Sequence, residues 1–199
     1  TTMKKVMTRF SVLVLVLALM TAFSINTVAE KTTSTEGPKR IIMISKSYQN
    51  MFYQAAFKGA QDAGAEYGFE IVTIGPDNES NIAQQVEQIA SAVNQRPAAI
   101  LLAAIDTGST FDVLSKAKNN GIPIIGFDSG VPGDQSGAVV ATSATDNTNA
   151  GAFVAQNLFN DIDFQTRMAM GTTEKPTVMA VLAQDSTSGS IVLRANGFV

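Results

Sequence analysis

The chain has no cysteine, no histidine and no tryptophan among its 199 residues. Each absence closes a class of chemistry. Without Cys there is no disulfide, no thiolate nucleophile and no lipid attachment at sulfur. Without His there is no imidazole metal ligand and no Ser-His-Asp triad. Without Trp, any stacking on a ligand falls to the 11 Phe and 3 Tyr. Charge is also scarce, at 16% of residues and a net −3, which offers no basic face for nucleic acid. No dinucleotide fingerprint and no P-loop follows any apolar run. Ser188-Gly189-Ser190 is not the Gly-x-Ser-x-Gly elbow of hydrolases. Asp161 and Asp163 form a lone Asp-x-Asp without the other ligands of a calcium loop, and read as solvated charge. Asn78-Glu79-Ser80 is a formal glycosylation sequon and nothing more. No catalytic residue, metal or cofactor is expected.

What is present begins with a targeting pattern. Lys4, Lys5 and Arg9 precede an apolar stretch from Phe10 to Phe23, and Thr27-Val28-Ala29 offers small residues for a signal peptidase. The apolar core is shorter than the ~20 residues a spanning helix needs. Residues 1–29 are therefore read as a cleaved signal peptide, and the rest as extracytoplasmic. Residues 30–39 are polar, with Gly37 and Pro38, and read as a linker. The chain ends at Gly197-Phe198-Val199 inside a helical pattern, so a fragment of a longer protein is expected.

Between these ends, strands and helices alternate. Ile41–Ile44, Phe69–Ile74, Ala98–Ala104, Ile122–Phe127 and Ala138–Ala141 read as five strands. Most are short and continuously apolar, as in a parallel sheet covered on both faces. The first helix shows a stripe of Phe52, Ala55, Ala56, Gly59, Ala60, Ala63 and Tyr67, closed by Gly68. A second helix carries Ile82, Val86, Ile89, Ala90 and Val93, and a third runs from Ser109 to Asn120. The fold class is α/β, a doubly wound parallel sheet forming one lobe over residues 40–143. Residues 144–199 read as the start of a second, similar lobe. There a helix carries Ala150, Gly151, Val154, Ala155 and Leu158, with Asp146 as its cap. Asp161–Pro176 is expected to be a polar loop, Val178–Leu182 a strand, and a last helix begins near Ser190.

In such a sheet, ligands bind beyond the carboxyl ends of the strands. Lys46-Ser47-Tyr48-Gln49-Asn50-Met51-Phe52-Tyr53 leaves the first strand and places an amide and two aromatic rings there. Amides and aromatic faces suit a sugar, although Phe52 and Tyr53 equally fit the first core positions of a helix. Asp106 and Thr107 follow the third strand, and Asp106-Thr107-Gly108-Ser109 also reads as a helix cap. Asp128 and Ser129 follow the fourth strand. A carboxylate there can accept two vicinal hydroxyls, while Asp-Ser-Gly is also good turn chemistry. Arg194 sits in an otherwise apolar helix start and reads equally as a surface charge.

Four stretches in order resemble the type I periplasmic sugar-binding proteins, the ribose-binding group that serves ABC transporters. They are Gln49-Asn50-Met51-Phe52-Tyr53, Gly121-Ile122-Pro123-Ile124-Ile125-Gly126-Phe127-Asp128-Ser129, Thr145-Asp146-Asn147 with Ala150-Gly151, and Arg194-Ala195-Asn196-Gly197-Phe198. The resemblance covers residues from about 39 to 199. It implies that Asn50 binds a sugar hydroxyl, that Phe52 and Tyr53 pack on the ring, and that Asp128 and Arg194 contribute from the two lobes. It also implies a hinge at Thr145, Asp146 and Asn147. Ser129 stands where ribose binders carry Arg, and Ala104 where they carry Asn, which argues against ribose itself. The implied protein is a monomer that binds a monosaccharide and presents it to an ABC permease. A sugar sensor for a chemoreceptor or histidine kinase, and a binder of a non-sugar solute, remain alternatives. A repressor's effector domain would need a DNA-binding helix-turn-helix in residues 1–40, and none is present.

Overall fold

In a computed structural model of the chain, the structure describes residues 39–199. The signal-peptide reading and nearly all of the linker reading lie outside the described residues; Lys39 already belongs to the first strand.

Five strands form one parallel sheet: β1 (Lys39–Ile44), β2 (Phe69–Ile74), β3 (Ala99–Leu102), β4 (Ile124–Phe127) and β5 (Val139–Ser143). Their spatial order is β2-β1-β3-β4-β5. The central strands β1 and β3 pair in register from Ile41 opposite Ala99 to Ile44 opposite Leu102. The chain winds outward in both directions from this pair, so a crevice opens beyond the carboxyl ends of β1 and β3. Period-2 alternation divides β1 between two cores. Ile42 and Ile44 face one side and Met43 the other.

Helix α1 (Met51–Tyr67) covers the Met43 side, where Tyr53 and Phe57 pack with Ala103. Helices α2 (Ile82–Asn94) and α3 (Phe111–Asn119) cover the other side with Ile89, Val93, Val113 and Leu114. Helices on both faces are what right-handed crossovers on either side of β1 require. The buried stripe of α1 differs from the expected one. It runs through Tyr53, Ala56, Phe57, Ala60 and Gly64, whereas Phe52 and Tyr67 are 58% and 70% exposed. Two adjacent helical faces of this segment are rich in alanine and aromatics, and periodicity alone did not separate them.

After β5 come α4 (Asn147–Asn160), α5 (Ile162–Ala169) and α6 (Gly189–Phe198). Two expectations are corrected here. The segment expected as a polar loop contains α5, whose amides are capped by Asp161 through Phe164 N at 2.8 Å. Asp161 is thus a capping residue, not idle charge. The apolar run Val178–Leu182 is not a strand. It has no regular structure, and Val178 and Leu182 are 83% and 96% exposed. A strand's amides and carbonyls need a neighbouring ladder, and no strand of the described sheet pairs with this run.

Helix α4 packs closely on α6. A Cβ on Gly151 would run into the Arg194 carbonyl oxygen, and one on Gly197 into the Thr148 carbonyl oxygen. The glycines of the last two stretches that carry the resemblance thus allow two helix backbones to meet. Among the described residues no helix is long and apolar enough to cross a membrane.

Candidate functional site

Polar side chains converge at the carboxyl edge of the sheet. Lys46 follows β1 after one residue and is only 5% exposed. Its ammonium donates to Ser188 Oγ at 3.2 Å, and lies 3.5 Å from Glu79 Oε2 and 3.7 Å from Asp128 Oδ2. Three strand-end loops and the start of α6 therefore meet on one buried cation. A buried ammonium needs such partners.

Asp128 directly follows β4 with a backbone φ of 54°, a left-handed conformation that Asp tolerates better than most residues. Its backbone N–H still pairs with Ser143 O at 3.1 Å, holding the residue at the sheet edge. The Tyr53 hydroxyl donates to Asp128 Oδ2 at 2.8 Å. Burial first, and then the nearby Asp128 carboxylate, keep the Tyr53 phenol protonated far above its ordinary range. Asp128 Oδ1 accepts no hydrogen bond among the described residues, and the side chain keeps 19% of its surface open.

The other expected residues fall as follows. Asn50 caps α1 by accepting from Phe52 N at 3.0 Å, and its amide donates to Glu79 Oε1 at 2.8 Å. Both of its polar ends are engaged within the protein. Phe52 is exposed and its ring stands edge-on to that of Tyr53 at 5.1 Å. The Tyr53 ring, expected to lie against a sugar, belongs to the core at 2% exposure; only its hydroxyl reaches the site.

Asp106 Oδ1 accepts from Ser109 N at 2.6 Å, the capping alternative. Burial would raise its pKa, but hydrogen bonds from Ser109, Thr187 and Gly108 outweigh it and hold the carboxyl below its ordinary value. Ser129 is buried and donates to Ala104 O at 3.0 Å, tying the β4 loop to the end of β3. Arg194 is exposed and lines a cavity of about 310 Å³ between α4, α6 and residues 181–184. No hydrogen bond or ion pair joins it to Asp128 among the described residues. At the expected hinge, Thr145 is exposed, Asp146 caps α4 through Asn149 N at 3.0 Å, and Asn147 is buried with its Oδ1 unpartnered.

Three residues were not singled out from the sequence as site residues. Lys46 was visible as a lysine directly behind an apolar strand. Glu79 lay in a turn read only as a sequon. Gln85 occupies the apolar stripe of α2, between Ile82 and Ile89, and is 1% exposed. Its amide donates to Ser45 O at 2.8 Å and Ala103 O at 2.9 Å, and accepts from Ile105 N at 2.8 Å. It thereby splices together the frayed ends of β1 and β3 beneath the site. Among the described residues there is no group of three or more His, Cys, Asp or Glu able to hold a metal.

The fold matches known proteins. A structure titled as an ABC transporter, LacI family transcriptional regulator, from Brachyspira murdochii superposes with a TM-score of 0.69 at 36% identity, over 81% of this chain and 50% of that one. An ABC transporter solute-binding protein from Agrobacterium vitis, solved with bound D-fucose, gives 0.67 at 32% identity, over 80% and 51%. The D-apiose import binding protein of Actinobacillus succinogenes is 27% identical over 158 residues, which is 79% of this chain and 46% of that protein. The chain thus spans about half the length of the relatives it matches. The family described as "Periplasmic binding protein domain" matches residues 41–197, nearly every described residue, and the chain belongs to that family.

Proposed function

We propose that the chain belongs to an extracytoplasmic solute-binding protein that delivers a monosaccharide to an ABC permease, and supplies part of its ligand contacts. The observation that carries this reading is Asp128. One carboxylate oxygen is anchored by the Tyr53 hydroxyl and faces Lys46, while Oδ1 is left to accept from a ligand. An anchored, ionised acceptor at the strand edge can take vicinal hydroxyls by charge-assisted bonds. Lys46 balances the carboxylate's charge from 3.7 Å, and the exposed Phe52 ring supplies a flat apolar surface for C–H groups. Arg194, with α4 and α6, contributes from the second lobe. Closure turns on the segment Thr145–Asn147, where the chain leaves β5 for α4. No bond is made or broken. Two relatives whose names include D-fucose and D-apiose support a sugar as the ligand class.

The test is a thermal-shift screen of the signal-free protein against pentoses, hexoses, polyols and amino acids. A ligand at ~100 times its Kd adds ~2.7 kcal/mol of stability, seen as a higher Tm. A rise with one sugar that disappears in Asp128→Asn supports the reading. A rise only with another solute class removes the carbohydrate assignment.

A further inference from the structure

We propose that Glu79 sets the charge selectivity of this cleft: by sharing Lys46 with Asp128 it leaves the site net negative, so neutral polyhydroxylated solutes are taken and their carboxylated counterparts rejected. The inference rests on the carbohydrate reading above and deepens it.

The single buried ammonium of Lys46 faces two carboxylates, Glu79 at 3.5 Å and Asp128 at 3.7 Å. Glu79 also lines a cavity of about 350 Å³ together with Ile105, Gln184, Asp185 and Thr187. No Lys or Arg lines that cavity, and Asp185 adds a further carboxylate to it. Asp106 follows Ile105 directly in the chain, and the Thr187 hydroxyl donates to Ile105 O at 3.5 Å. Arg194 lies in the adjoining cavity, which shares Gln184. Even with Arg194 counted, this edge holds two cations against four carboxylates. An anionic ligand entering this edge would bring a like charge into a partly desolvated crevice, where repulsion is stronger than in water.

Glu79 is a positioning residue, because neither of its oxygens is left for a ligand. Oε1 accepts from Asn50 at 2.8 Å, and Oε2 accepts from Gln184 at 3.0 Å while facing Lys46. Its influence runs through Lys46 and through its charge. Glu79→Gln keeps an acceptor for Asn50 and removes that charge.

The experiment is calorimetric titration of the signal-free protein with neutral pentoses and hexoses, each paired with its own aldonate or uronate, such as D-galactose with D-galacturonate. In the wild type the neutral member should bind at least tenfold more tightly. Glu79→Gln should narrow that ratio about tenfold, a change of ~1.4 kcal/mol. Lys46→Gln should widen it. A merely structural Glu79 would weaken both members alike, and an unchanged ratio overturns the inference. Raising the ionic strength from ~0.01 to ~1 M shortens the Debye length about tenfold and should narrow the wild-type ratio, a test that needs no variant to fold. Equal binding of sugar and acid by the wild type overturns the charge assignment and leaves the carbohydrate reading standing. Binding of no sugar in the panel overturns both.

Discussion

The Tyr53 hydroxyl donates to Asp128 Oδ2 at 2.8 Å across 75 residues of sequence, joining the first turn of α1 to the end of β4. This bond connects the core to the site, because the Tyr53 ring is buried while the carboxylate it holds is partly open. Tyr53→Phe keeps the ring and removes the bond. A hydrogen bond to a charged group contributes about 1.5–3 kcal/mol when buried, and Asp128 is open enough that ~1 kcal/mol is expected here. Denaturant unfolding should show that small loss. Ligand affinity should fall about tenfold, because Oδ1 loses its fixed direction. A variant with full affinity would detach Tyr53 from the site.

Asp128 carries both a charge and a left-handed backbone, and substitutions can separate them. Asn tolerates φ of 54° and nearly preserves shape, so Asp128→Asn should remain folded while losing most ligand binding. Asp128→Ala loses the charge and also carries the Cβ penalty. Against Asp128→Gly, whose backbone is free to adopt positive φ, it should be less stable by roughly 1 kcal/mol. Equal stability of the Ala and Gly variants, measured by urea unfolding, would place no strain at this position.

The sheet was legible in the sequence because its strands are short, continuously apolar and separated by helix-length segments. The five expected strands lie within a few residues of β1–β5, and Gly68 ends α1 as expected, with φ of 75°. Part of what failed depended on a tertiary partner. Val178–Leu182 has the composition of a buried strand, but composition cannot supply the neighbour that makes one. The site was half legible for the same reason. Asp128 stood out as a lone carboxylate at a strand end. Lys46 and Glu79 draw their meaning from each other across 33 residues, and no local pattern marks that pairing. Gln85 sits on an apolar stripe, and helical periodicity marks which positions are buried, not which buried position is polar.

Gln85 makes three hydrogen bonds to backbone groups at the ends of β1 and β3. Gln85→Leu is close in size and leaves the Ser45 and Ala103 carbonyls and the Ile105 amide without their partner. Each buried unpaired group costs about 1–3 kcal/mol, so a loss of at least ~3 kcal/mol is expected. Ligand affinity should fall as well, since Lys46 directly follows Ser45. A loss below ~1 kcal/mol by denaturant unfolding would show that water takes over these bonds.

Acid sensitivity should come from Asp106 and Asp134. In both, burial acts to raise the pKa, but hydrogen bonds from neighbouring amides and hydroxyls overcome it and lower the folded value. A folded pKa below the unfolded one contributes stability that is present above the unfolded value and lost as pH falls through the folded value. With an unfolded Asp near ~3.9, Tm should hold steady above pH ~5 and drop below ~4. Asp106→Asn with Asp134→Asn should flatten that drop while lowering Tm at neutral pH. A drop unchanged in the double variant would assign the acid sensitivity to other carboxylates.

The contact between α4 and α6 gives the sharpest contrast between two chemically identical substitutions. Gly151 has no room for a Cβ, because the Arg194 carbonyl oxygen and the Phe198 amide nitrogen crowd the position. Gly59, in the interior of α1, has nothing within 4 Å. Gly59→Ala should stabilise the protein by about 0.5–1 kcal/mol, since alanine restricts the unfolded chain and suits a helix interior. Gly151→Ala gains the same local preference but must force two helix backbones apart, and overpacking of this kind costs about 1–3 kcal/mol. The two substitutions should therefore move Tm in opposite directions. Because α4 and α6 line the cavity that holds Arg194, Gly151→Ala should also weaken ligand binding, whereas Gly59→Ala should leave it unchanged. Stabilisation by both substitutions would mean that the helices separate without cost, and that the glycines shared by the two motifs do not fix the crossing.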